Sequence, residues 1–290
     1  MLMKKLILPG CILFWAMATL AIAQSQGQLL TNFGPSPSTA AFHEINGLFT
    51  GDWQQYGQLF TELQSKIFSQ IFLLVVTVVP LIFLLHYLVI GPMIFSHEGR
   101  QIYYFNLFAR CIHWCAAISF ALLVLTGLLI IFGSLVGGGV LLRSGRTVHL
   151  ISAAIFSVSA LFMLLIWAKD MIYAPYDFMW MLIMGGYLSK KKKPVPAGKF
   201  NAGQKSWFWL ATLGGMVMAV SGYFLYSFQG SPDTLRLSAI IHNFLGAAMI
   251  AVFIVHLYMS LFAIKGAIRS MISGYKAEAE LTILHSRFKF

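Results

Sequence analysis

From residue 67 onward, long apolar runs alternate with shorter polar stretches. The runs cover roughly 67–90, 111–132, 148–168, 207–228 and 237–264. Each predicts a transmembrane helix, because about 20 residues rising about 1.5 Å each span the roughly 30 Å of hydrocarbon in a bilayer. Pro80 inside the first run removes a backbone donor and predicts a kink. An earlier apolar run, 6–20, is framed differently. Lys4 and Lys5 precede it and Ala21-Ile22-Ala23 follows. That order of charge, apolar stretch and small residues predicts a secretory signal peptide over 1–23, cut before Gln24 and taking Cys11 with it. Residues 24–65 are polar and carry no Lys or Arg, with Trp53 and Tyr56 placed to lie at a membrane surface.

Composition fits this pattern. Hydrophobic residues are 59% of the 290 and charged residues 10%. Soluble domains carry about 25% charge, so a water-soluble enzyme is excluded, and disorder is excluded by the apolar excess. The net charge of +11 invites a nucleic-acid reading, but its distribution points elsewhere. With the mature N-terminus outside, the inside segments hold Arg100, Arg110, Lys169, the Lys190–Lys193 run, Lys199, Lys205, Lys265, Arg269, Lys276, Arg287 and Lys289. The outside segments hold Lys66, Arg143, Arg146 and Arg236. This is the positive-inside bias of a multi-pass protein of the bacterial cytoplasmic (inner) membrane, with a periplasmic N-terminus and a cytoplasmic C-terminus. Nucleic acid is not an expected partner; membrane lipid is. Three cysteines offer no disulfide framework.

Ionisable side chains inside a membrane are costly and point to function. Of eight histidines, His43, His97 and His285 fall outside the runs, while His86, His113, His149, His242 and His256 fall within them or at their ends. His242 and His256 are 14 residues apart on one run. At about 100° and 1.5 Å per residue they share a face and stand about 21 Å apart. That is too far to share one metal. His149 lies level with His242 at the outer side, and His113 level with His256 at the inner side. Two opposed imidazole pairs suit axial ligation of two planar haems. Gly127 and Gly246 lie on histidine-bearing runs and Gly222 lies in the fourth run, where a missing side chain admits a bulky ring, although small residues also pack helices together. His86 has no partner at its depth and is expected to be a structural hydrogen-bonding residue. Zinc is a poor match, since neither HExxH nor an intramembrane carboxylate is present. Cys111-Ile-His113-Trp-Cys115 is not a C-x-x-C-H haem attachment motif.

Three segments carry a resemblance to the membrane cytochrome b (gamma) subunit of respiratory formate dehydrogenase. They are Phe108-Ala-Arg-Cys-Ile-His113-Trp114 with Leu125-Thr-Gly127; Gly198-Lys-Phe-Asn201-Ala-Gly-Gln204-Lys205; and Ile241-His242 with His256-Leu-Tyr-Met and Lys265-Gly266. The likeness covers about residues 106–275. It implies an all-α integral membrane fold: a four-helix transmembrane bundle binding two b haems, with the pairs His149/His242 (outer) and His113/His256 (inner). It also implies a menaquinone site at Asn201, Gly203 and Gln204 beside the inner haem. An amide pair can hydrogen-bond quinone carbonyls, although the same stretch also reads as a turn capping the fourth span. Lys205 is expected at the lipid phosphates. Arg143 and Arg146 are candidate partners for outer haem propionates, and Arg110 for inner ones.

The chain departs from shorter family members by an additional N-terminal transmembrane helix after the signal peptide. The expected organisation is a signal peptide (1–23), a periplasmic segment (24–66), the additional helix (67–92), the dihaem core (106–265) and a cytoplasmic tail (266–290). The resemblance implies electron transfer from a periplasmic iron–sulfur (beta) subunit through the two haems to quinone, contributing to membrane potential. Formate chemistry would reside in a separate molybdenum or tungsten catalytic (alpha) subunit. Two alternatives stay open: a b-type subunit of a hydrogenase or of a thiosulfate or polysulfide reductase, and a non-haem proton-coupled transporter.

Overall fold

A computed structural model describes residues 56–290. The expected signal peptide, Trp53 and the 24–55 part of the N-terminal segment lie outside the described residues. Among the described residues, five helices are long and apolar enough to cross a membrane: α1 (Gly57–Val89), α2 (Leu107–Ile131), α3 (Gly139–Trp167), α5 (Ala202–Ser227) and α6 (Pro232–Ala263). A short helix, α4 (Pro175–Leu182), sits in the 168–201 connection. The starts of α2, α5 and α6 precede the apolar runs because polar caps set them. Asn106 accepts from the Ala109 N–H at 2.8 Å, and Ser231 accepts from the Thr234 N–H ahead of Pro232. Such side chains satisfy orphan donors of the first turn. α1 continues through Pro80 and contains a π turn at Leu63–Ile67.

Helices α2, α3, α5 and α6 form the bundle. Ala116 and Phe120, Phe156 and Ala160, Ala211, and Met249 and Phe253 meet in one buried cluster drawn from all four. Phe120 stands 4.9 Å from Phe253 and 5.1 Å from Phe156, ring centre to ring centre. α1 flanks this bundle. Only 6% of its apolar window is buried, against 28–39% for the others. Its first turns pack Phe60, Leu63, Phe68 and Phe72 on Leu235, Ala239 and Ile240 of α6. Arg236 of α6 is fully buried there, 3.1 Å from Asp233, with its guanidinium against Gly57.

At the opposite end, short strands tie the connections together. β1 (Met93–Ile94) runs parallel to β3 (Ile264–Lys265), and β2 (Gln101–Tyr103) antiparallel to β4 (Tyr275–Ala277), with Ile102 opposite Lys276. Helices α7 (Arg269–Ser273) and α8 (Glu278–Leu284) complete this end. The segment expected as a tail is therefore folded. Leu281, Leu284, Glu280 and His285 are all buried. His285 Nδ1 donates to the Gly198 carbonyl at 2.7 Å, so its Nε2 is bare and lies 3.1 Å from Lys276 Nζ. The Tyr104 hydroxyl donates to the Lys199 carbonyl, and the Arg287 N–H donates to the Ala197 carbonyl at 2.9 Å. The tail thus clamps the 195–199 stretch that leads into α5.

Burial and then the neighbouring Lys276 ammonium hold His285 well below its usual range. The unfolded chain takes up a proton near pH 6.5 that the folded clamp refuses. The contribution is therefore intact above about pH 6.5 and declines as pH falls below it, by up to about 1.4 kcal/mol per unit. Proteolytic clipping of residues 275–290 is expected to be flat between pH 7 and 8 and to rise below 6.5. Replacing His285 with Asn should flatten the profile; an unchanged profile would assign the acid sensitivity elsewhere.

Candidate functional site

The structure brings four of the five in-span histidines together as two pairs, and each of the four is half-buried. The rings of His149 (α3) and His242 (α6) have centres 6.4 Å apart at 55°. Those of His113 (α2) and His256 (α6) are also 6.4 Å apart, at 57°. The fourteen residues between His242 and His256 separate the pairs by about 21 Å along α6. The Phe120–Phe156–Phe253 layer lies between them.

The two pairs differ in what holds them. His149 Nδ1 is 2.8 Å from Thr126 Oγ1 on α2, and His242 Nδ1 is 3.0 Å from Ser221 Oγ on α5. Gly127 and Gly222 follow directly. A Cβ built on Gly127 would stand 3.5 Å from His149 Cε1, and one on Gly222 would stand 3.2 Å from His242 Cε1. The glycines are visible as candidates in the sequence and the hydroxyls are not singled out by residue type, although Thr126-Gly127 and Ser221-Gly222 repeat the same two-residue pattern. Gly246 faces Met218 and Phe72 instead of a histidine. In the other pair, His113 Nδ1 is buried without a hydrogen-bond partner among the described residues. His256 lies against the Trp207 ring at 5.6 Å, tilted by 23°.

His86 joins neither pair. Its Nδ1 is 2.6 Å from the Tyr258 hydroxyl, and its Nε2 lies 2.8 Å from the Tyr187 carbonyl, pinning α1 to α6 and to the 183–189 turn. Arg110 is buried against the C-terminal segment, donating to the Ile272 carbonyl at 2.6 Å. Arg143 and Arg146 are exposed.

Asn201 and Gln204 open α5 as a reciprocal cap. Asn201 Oδ1 accepts from the Gln204 N–H and Gln204 Oε1 from the Asn201 N–H, each at 2.9 Å. The two amide NH2 groups have no hydrogen-bond partner among the described residues. Trp207, one turn further on, carries this helix end to His256. Gly203 is covered by Trp180 of α4, which would stand 2.9 Å from an added Cβ. Lys205 does not reach lipid phosphates. It is buried, 2.6 Å from Asp177 Oδ2 and 2.9 Å from the Ile172 carbonyl. The carboxylate on α4 draws it inward.

Residues 104–274, the part that holds all four paired histidines, match the family model described as prokaryotic cytochrome b561. The chain belongs to the prokaryotic cytochrome b561 family. Membership implies haem b, and the cytochrome b561 match begins after α1 and ends before α8. The chain is 31% identical over 176 residues to the cytochrome b556(Fdn) subunit of the nitrate-inducible formate dehydrogenase of Escherichia coli K12, covering 57% of this chain and 79% of that subunit. It is 25% identical over 175 residues to the formate dehydrogenase cytochrome b556 subunit of Haemophilus influenzae, covering 58% and 73%.

Proposed function

We propose that this chain is the membrane cytochrome b subunit of a respiratory formate dehydrogenase, an inner-membrane protein with its mature N-terminus periplasmic. It holds one haem b between His149 and His242 and a second between His113 and His256, and it serves menaquinone reduction beside Asn201, Gly203 and Gln204. The observation that carries this reading is the same 6.4 Å imidazole pair occurring twice on one four-helix bundle. Two metal–imidazole bonds of about 2 Å and about 1 Å from each nitrogen to its ring centre need ring centres about 6 Å apart. The donor sets contain no carboxylate or thiolate, which also suits haem iron.

Haem b supplies one-electron carriage when bound. The chain's own residues do the rest. Thr126 and Ser221 orient the outer imidazoles. The Phe120, Phe156 and Phe253 layer keeps the path between the pairs free of water. The leftover amide donors of Asn201 and Gln204 suit the two carbonyl oxygens of a quinone. The exposed Lys190–Lys193 run supports placing that end at the cytoplasm. An iron–sulfur subunit docks at the outer end, and a molybdenum or tungsten subunit behind it oxidises formate.

The test is a reduced-minus-oxidised spectrum of the purified protein with haem quantified per polypeptide. Two b-type haems per chain are expected. One would mean that a pairing is wrong. A colourless protein from haem-supplied cells would sink the reading and favour a transporter.

A further inference from the structure

Each outer histidine meets a hydroxyl through Nδ1, and that hydroxyl has one proton to give. Thr126 Oγ1 lies 2.6 Å from the Leu122 carbonyl, one turn back on its own helix. Ser221 Oγ lies 2.9 Å from the Val217 carbonyl in the same relation. A carbonyl only accepts, and a hydroxyl that gives its proton to the backbone turns a lone pair to the ring. In that arrangement Nδ1 carries the hydrogen and Nε2 is the bare nitrogen at both outer histidines.

We infer that Thr126 and Ser221 are positioning residues that set the tautomer of the outer pair and lower the reduction potential of the haem it holds. The inference rests on the two-haem reading above. An imidazole that donates from its far nitrogen is a more basic ligand. A more basic ligand favours ferric over ferrous iron. Both outer ligands are acted on in this way. At the inner pair, His113 Nδ1 has no acceptor among the described residues, and the Trp207 face takes the place of a hydroxyl beside His256. The outer site is therefore the weaker oxidant of the two, and an electron placed there moves downhill toward the inner site and the quinone.

The arrangement is built alike on two different helices. Thr126–Gly127 on α2 and Ser221–Gly222 on α5 each offer a hydroxyl and then a bare backbone to one imidazole. The hydroxyl fixes the ring's rotation, and the glycine lets the ring lie close to the helix.

The experiment is a potentiometric titration of the holoprotein in detergent, following the b-haem bands, with haem counted first. Ser221→Ala and the near-isosteric Thr126→Val remove one hydroxyl each; Ser221→Thr and Thr126→Ser retain it. We expect two haems in every variant. Ser221→Ala and Thr126→Val should each shift one haem's reduction equilibrium about three- to tenfold toward ferrous, where tenfold is about 59 mV for one electron. The other haem should not move, and the hydroxyl-retaining variants should titrate like the parent. Two haems with unchanged potentials would overturn the tuning role and leave the dihaem reading standing. Loss of a haem on removing one hydroxyl would likewise overturn it. A parent protein without two haems would bring down the proposed function itself, and that count is made before any variant is compared.

Discussion

Replacing His256 with alanine is expected to halve the haem content, from two b haems per chain to one, and to reduce quinone reduction to background. The reasoning is geometric. His256 faces His113 across 6.4 Å, while His242 and its partner His149 stand about 21 Å further along α6. Sites separated by more than about 10 Å, with no shared partner, respond independently. The outer pair should therefore keep its haem and its band. The inner haem would be left with one imidazole and an empty space beside Trp207. A second substitution separates ligation from packing. Methionine fills a similar volume and is itself an axial haem ligand that raises the potential. His256→Met is therefore expected to keep two haems, with the inner one easier to reduce. Two haems of unaltered potential in His256→Ala would rule out His256 as a ligand and return His86 to consideration. The mirror experiment, His242→Ala, should remove the outer haem and leave the inner band unchanged.

The histidine pairs were legible in the sequence because a helix is a ruler. Rise and turn per residue place His242 and His256 on one face at two depths, and a multi-pass topology then dictates which neighbour enters at each level. The helix starts were less legible. Hydropathy marks the hydrocarbon, whereas the helix begins where the backbone turns, so α3 starts at Gly139, after the positive-φ Gly138, and not near Val148. Contacts set by the rotation of one helix against another were not legible at all. Nothing in a single sequence says that Ser221 points at His242 or that Asp177 reaches Lys205. The C-terminal segment misled for a different reason. Its burial comes from a few contacts, Leu281, Leu284 and the His285–Gly198 hydrogen bond, on a stretch whose average composition is that of a surface tail. Asn201 and Gln204 take up the capping role that the sequence also allowed, their oxygens accepting N–H groups at the start of α5.

Breaking the Lys205–Asp177 pair from one side is expected to be the most destabilising polar change in the protein, about 3–5 kcal/mol, because it strands a buried charge. Both side chains are nearly inaccessible, at 3% and 1% exposed. Asp177 Oδ2 takes the Lys205 ammonium at 2.6 Å and the Ala174 N–H at 2.7 Å, so one oxygen both closes the ion pair and caps α4. Its Oδ1 has no partner among the described residues, which leaves little to compensate for a lost lysine. Lys205→Met should therefore leave an uncompensated carboxylate and lower stability most. Asp177→Asn should cost less, since the amide still offers an oxygen to Ala174 and a buried lysine can release its proton. Coupled pairs are non-additive, so the double variant should lie well below the sum of the two single losses. The readout is thermal unfolding in detergent, followed by the near-ultraviolet tryptophan signal. Quinone affinity should fall with it, because Lys205 adjoins Gln204 and holds α4, with Trp180, against Gly203. Single substitutions that each cost less than about 1 kcal/mol, the range of exposed pairs, would overturn the expectation that a buried charge is stranded.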